Sequence, residues 1–225
     1  MLRRNFMGLM VCLISLSFAT LGFAGVPDHA ASSASTLATG IVSVFTNVDG
    51  LGNSINGAKA AASSASVDAT ITLTVIDTDG FQVFQYPFED MWLETDAGGL
   101  ILCNGGSTAD ASTGVNGQTT FSGTLFAGGG SYYDKDIPAN EQCIVMIDGT
   151  ALSQATSAMD ILFNSGDLNG DLLVGVQDTT LFKPAYIAGT SGALVYDYSI
   201  DYYFDEAITL SDLVLFAGVA NTSCP

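Results

Sequence analysis

The stretch "VDATITLTVIDTDG" (67–80) decides the fold. Ala69, Ile71, Leu73 and Val75 alternate with Thr70, Thr72 and Thr74. A strand turns successive side chains to opposite faces. A period of two therefore sends the apolar set to a core and the threonines to water. Asp79-Gly80 supplies the turn that ends it. The stretch predicts a half-buried antiparallel strand. Similar material follows downstream. "FQVFQYPFEDMWLET" (81–95) is strand-like, with Pro87 marking an edge or bend. "GLILC" (99–103) is a short buried strand, and "VNGQTTFSGTLFAGG" (115–129) opens on an Asn116-Gly117 turn and then alternates. "QCIVMIDG" (142–149) and "MDILFN" (159–164) complete about seven closely spaced strands, the pattern of a β-sandwich.

Upstream, Arg3 and Arg4 precede an apolar run from Phe6 to Phe23, and Gly22-Phe23-Ala24 offers small residues before a cleavage point. Residues 1–24 are expected to be a signal peptide, so the protein is expected to be secreted, with no membrane association after cleavage. Cleavage removes Arg3 and Arg4, leaving three basic side chains against 23 acidic ones, a net charge of −20. Such a surface repels nucleic acid and anionic lipid and attracts divalent cations. Residues 25–66 read as a leader. Its 25–40 part is expected to be mobile. "IVSVFTNV" (41–48) is a strand, and "DGLGNSINGAKAAASSAS" (49–66) has linker chemistry. An isolated strand leaves backbone groups unsatisfied, so 41–48 must pair with its own sheet or with a neighbour's. Export favours disulfides. Cys103 and Cys143 lie inside the strand-rich region and are expected to pair, leaving Cys224 as a free or intermolecular thiol.

From Ser165 the pattern changes. "DLNGDLLVGVQDTTLF" (167–182) and "DYYFDEAITLSDLVLF" (201–216) repeat at an offset of 34. Asp167/Asp201, Asp171/Asp205, Val174/Ile208, Asp178/Asp212, Leu181/Leu215 and Phe182/Phe216 fall in register. Calcium takes six to eight hard oxygens, which a 12-residue loop supplies from positions 1, 3, 5, 7 and 12. In the first loop these are Asp167, Asn169, Asp171, the carbonyl of Leu173, and Asp178. Val174, at position 8, is expected to pair with the partner loop. A short helix is expected to start near Asp178 and stop at Pro184. The second loop keeps Asp201, Asp205, the carbonyl of Ala207, and Asp212, but has Tyr203 at position 3, so it is expected to bind weakly.

Two resemblances follow. "ATITLTVIDTDGFQV" (69–83) and "STGVNGQTTFSGTLFAGG" (112–129) resemble the bacterial Ig-like domains of invasin- and intimin-type surface proteins. That implies an Ig-like β-sandwich over 67–164. The duplicated loop-plus-helix unit resembles dockerin repeats with EF-hand-like calcium loops, which implies a dockerin-like module over 165–225. It departs from that family at Leu172 and Glu206, where glycine normally takes a positive φ at a cost to other residues of about 1 kcal/mol. In dockerins the residues just before position 12 help choose a cohesin partner; here they are Val176-Gln177 and Leu210-Ser211. The implied fold class is mainly β, an Ig-like β-sandwich with a small C-terminal module of two calcium loops and short helices.

Catalytic groups are scarce. The one histidine, His29, lies in the leader, so Ser-His-Asp, Cys-His and zinc sites lack partners. On a strand, Asp90, Trp92 and Glu94 would share one face, an aromatic flanked by acids of the kind that can bind sugar, or an edge strand with outward acids. The expectation is a non-catalytic, calcium-stabilised structural protein of the cell surface or an extracellular fibre. It would assemble head-to-tail with itself, with strand 41–48 added to a neighbour's sheet. The alternative is a docking or adhesion component of a polysaccharide-processing complex, recognised by a cohesin-type partner.

Overall fold

The computed structural model describes residues 25–134, 141–153, 158–191 and 196–225. The signal peptide expected at 1–24 lies outside these residues. Among the described residues twelve short strands run in order: β1 (Ser33–Thr36), β2 (Val42–Thr46), β3 (Ala58–Ala60), β4 (Ser66–Val67), β5 (Ile71–Thr74), β6 (Met91–Thr95), β7 (Leu100–Leu102), β8 (Gln118–Phe121), β9 (Ala127–Gly129), β10 (Cys143–Ile147), β11 (Thr150–Ala151) and β12 (Ile161–Ser165). Two helices follow, α1 (Val176–Thr190) and α2 (Leu210–Val219). The fold is mainly β and sandwich-like, with sheets β1-β5-β8, β11-β10-β6, β12-β2-β3-β4 and β7-β9. β9 and its continuation run beside β12, through Gly129 N to Asp167 O and Ser131 N to Phe163 O.

The alternation read in 67–80 appears as burial. Ala69, Ile71, Leu73 and Val75 are each fully buried, while Thr70, Thr72 and Thr74 stay partly exposed. They join one apolar cluster with Ile55, Met91, Leu93, Phe121, Val145, Ile147, Ile161 and Phe163.

The leader differs from its sequence reading. Residues 25–40 were expected to be mobile; they carry β1, which pairs with β5, and a buried Ser32. His29 is tied down too, its Nε2 3.0 Å from Ile147 O. Strand 41–48 contains β2, which is bonded along both edges, parallel to β12 and antiparallel to β3. Its backbone groups are thus used within the chain and are not free for a neighbour's sheet. The stretch expected to be a linker forms β3 and β4. It also plugs the core with fully buried Ile55, whose N–H donates to Gly123 O.

β2 explains why the C-terminal part is not a detached module. Every β2 residue is buried, as in a strand covered on both faces. Val42 and Val44 enter the sandwich cluster, while Phe45 enters a second cluster with Val174, Phe182, Tyr202, Ile208 and Phe216. Ser43 Oγ meets Tyr198 OH at 2.7 Å, and Asn164 Nδ2 donates to Asp201 O at 2.8 Å. One sheet therefore serves two cores, and the expected boundary at 165 is crossed by shared packing.

Two further corrections concern covalent and helical structure. The disulfide joins Cys103 to Cys224, with Cα atoms 5.8 Å apart, and Cys143 is a free, buried thiol. Cys143 points from β10 into the sandwich core. Cys103 lies in the second cluster, where the returning C-terminus delivers Cys224: Val174 N donates to Thr222 O and Asn221 N to Val174 O. Nor does Pro184 stop α1, which spans 15 residues with Pro184 inside. Proline in a helix interior costs ~3 kcal/mol. Packing on both sides offsets it here: Phe182 and Tyr186 stack at 5.4 Å, and Phe182 stacks on Phe216 at 4.3 Å.

Candidate metal centre

The first acidic loop leaves β12 and feeds α1. Asp167 anchors it: Oδ1 accepts from Gly170 N (2.9 Å) and Asp171 N (3.2 Å), and Oδ2 from Leu172 N (2.8 Å). Asp178, in the first turn of α1, closes the loop. Its Oδ1 accepts from Leu168 N (2.8 Å) and Asn169 N (3.2 Å), and its Oδ2 from Gly175 N (2.7 Å). A carboxylate there also satisfies otherwise unpaired amides at the helix start. Asp171 Oδ1 accepts from Leu173 N.

The second loop repeats this wiring. Asp201 accepts from Asp205 N and Glu206 N, Asp212 from Tyr203 N and Thr209 N, and Asp205 from Ala207 N. The backbone repeats too. Leu172 has φ +65° and Glu206 +61°, and two residues earlier Gly170 has +70° and Phe204 +56°. The left-handed conformation at position 6 is therefore adopted without glycine, in both loops. An L-residue pays roughly 1–2 kcal/mol for it, and the anchoring aspartate at position 1 offsets the cost by accepting the N–H of that residue.

The loops differ as candidate ligand sets. One carboxylate oxygen each from Asp167, Asp171 and Asp178 lie within 4.8 Å of one another, the only such carboxylate, thiol or imidazole cluster among the described residues. Oxygens sharing a calcium ion at 2.3–2.6 Å can be no more than about 5 Å apart, so the spacing fits. Asn169 Nδ2 donates to Asp171 Oδ2 and Gln177 Oε1; presenting Oδ1 to a cation requires its amide to rotate. Leu173, the expected carbonyl donor, is bridged to Ser223. The expected pairing of Val174 with the partner loop is not made, because the C-terminal tail takes its backbone groups. In the second loop Asp201 Oδ2 accepts from Tyr196 OH at 2.7 Å, Tyr203 supplies no carboxylate, and Asp205 and Asp212 do not form a comparable cluster.

Electrostatics favour a cation. Asp167, Asp178, Asp201 and Asp212 are fully buried. Burial pushes the Asp167 carboxyl above the usual carboxylate range, the amide of Leu172 opposes this, and the negative charges of Asp178 and Asp171 add to it. Burial likewise raises Asp212. Asp201 is pushed up to about 6, first by burial, with Tyr196 opposing and Asp212 and Asp205 reinforcing. An unfolded aspartate titrates near ~3.9. The folded state of the metal-free protein therefore binds the Asp201 proton more tightly. The stability this gives is fully present below about 4 and is lost as pH rises through about 6. In chelator, the wild-type melting temperature should fall between pH 4.5 and 7, and Asp201→Asn should flatten that fall. A wild-type curve rising over this interval would contradict the assignment.

Sequence reading did not find Tyr196 as a partner of Asp201, nor the wall that Trp92 forms with residues 102–108. Among the described residues no helix is long and apolar enough to cross a membrane. No family model matches the chain, and no curated protein matches it. Among solved structures, the Lin-41 filamin domain is similar over 60% of this chain and 95% of its own, at 14% identity and a TM-score of 0.26. A likeness that weak carries no argument about fold or function.

Proposed function

We propose that this chain is a non-catalytic, calcium-stabilised structural protein that works outside the cell, as part of a surface or fibre assembly. The observation that carries the reading is the convergence of Asp167, Asp171 and Asp178 at the start of α1. Three carboxylates make a hard, flexible oxygen set that suits calcium, to which Asn169 would add its amide oxygen on rotating and Leu173 its carbonyl. The ion would neutralise buried like charges and clamp loop to helix. The Cys103–Cys224 disulfide and the expected signal segment support an exported protein. On this reading the two loop–helix units form a dockerin-like pair built onto an Ig-like sandwich. Strand donation by 41–48 is not part of it, since β2 is bonded on both edges. Assembly with further copies then falls to the outer surface. Isothermal titration should give one tight calcium site, lost in Asp171→Ala. Sedimentation with calcium should show self-association. A monomer at all concentrations would remove the fibre role.

A second reading is favoured by one feature of the helices. Val176 and Leu210, related by the repeat, are both exposed, and Leu210 and Val214 line an apolar groove with Tyr203 and Leu215. Such a face suits calcium-dependent docking to a cohesin-type partner. Capture of a cohesin domain with calcium, lost in chelator and in Leu210→Asp, would support it over self-assembly.

A further inference from the structure

We propose that the cavity beside Trp92 binds a neutral saccharide. The cavity measures about 310 Å3, and its lining includes Trp92, Cys103, the Gly105-Gly106 turn, Glu89, Asn104 and Thr108. That volume is at the lower end of the ~300–1,000 Å3 range of small-ligand pockets, enough for a short saccharide. Three features point to this class of ligand.

The aromatic wall is set before any ligand arrives. Trp92 sits in β6 opposite Met146, is bridged to Thr108, and its Nε1 donates to Glu94 Oε1 at 2.7 Å. A half-buried indole with its N–H already partnered presents carbon surface, which suits the C–H face of a pyranose, and its fixed orientation lowers the ordering cost of binding. The turn that lines it carries no side chain: Gly105 has φ +68°, which favours glycine, and a Cβ at Gly106 would collide with Phe126 O. Third, the lining carries polar groups matched to hydroxyls. Glu89 and Asn104 are exposed side chains, a carboxylate to accept and an amide that donates and accepts. The same carboxylate, in a chain of formal net charge −18, disfavours uronic acids and sulfated sugars. The site is separate from the acidic loops and needs no metal.

The chain's single tryptophan makes the test direct, because emission excited selectively at the indole reports this cavity alone. Wild-type protein is titrated with cellohexaose, xylohexaose, mannohexaose and polygalacturonate. The expected result is a saturable change in emission with at least one of the three neutral oligosaccharides and none with polygalacturonate. Calorimetry with the bound oligosaccharide should then show at least a tenfold loss of affinity in Asn104→Ala and no detectable binding in Trp92→Ala. Asn104 is a surface side chain, so its variant keeps the test meaningful if Trp92→Ala fails to fold. No saturable change with any neutral oligosaccharide, equal binding of polygalacturonate, or unchanged affinity in Asn104→Ala would overturn the proposal.

Discussion

Chelator-treated protein is expected to gain about 5–10 °C in melting temperature when calcium is restored to a hundredfold excess over its dissociation constant. A ligand that binds only the native state adds RT ln(1 + [L]/Kd), ~2.7 kcal/mol at that excess. A chain of this size shifts by about 2–4 °C per kcal/mol. Calcium should bind the native state because the metal-free site holds buried carboxylates whose neighbours are other carboxylates, a repulsion the ion relieves. Asp171→Ala should lose most of it. Asp171 is the exposed member of the cluster, so its removal takes a ligand while leaving the Asp167 and Asp178 anchors of the turn in place. Asp205→Ala should lose little, since its loop lacks a converging third carboxylate. Scanning calorimetry with and without chelator decides the matter. A wild-type curve that does not move with calcium would take the metal out of the account.

Cys224→Ser is expected to lower unfolding stability by about 3–5 kcal/mol, the range for a disulfide closing a long loop. The Cys103–Cys224 link spans 121 residues of sequence. It also holds residues 221–222 against Val174, which lies between the candidate ligands Leu173 and Asp178 of the first loop. Breaking it should therefore weaken calcium binding as well as the fold. Urea melts with and without reductant would measure the first effect, and calcium titration of Cys224→Ser the second. Thiol labelling of the denatured, oxidised chain beginning at Gly25 should find one reactive group, Cys143. A peptide map linking Cys103 to Cys143, or a midpoint indifferent to reductant, would refute the assignment.

The candidate metal centre was legible in outline. Spacing of Asp167, Asp171 and Asp178 on a 12-residue loop is local information, and so is the 34-residue repeat. Leu172 looked like the obstacle, because a leucine there must take a positive φ. The obstacle falls away once Asp167 Oδ2 is seen to accept the Leu172 N–H. Tyr196, by contrast, could not be assigned to Asp201 from spacing alone. Nor could Asn104 and Thr108 be assigned to the Trp92 cavity, since a turn brings them there. The reading of Pro184 failed because helix propensity is a weak prior beside the stacking of Phe182 on Phe216.

What the sequence alone determined is whatever repeats over short distances. The period of two in 67–80 put Ile71, Leu73 and Val75 in a core. The duplicated acidic loops set three pairs of aspartates at equivalent positions. Each follows from which side of a strand or loop must leave water. The tertiary structure decided what depends on meeting distant partners. It placed β2 between β12 and β3, so that a segment read as a leader became the sheet shared by two cores. It carried the C-terminus to Cys103 and left Cys143 inside the sandwich. Strand partners and cysteine partners are chosen by packing across the whole chain, and no local pattern of residues encodes that choice.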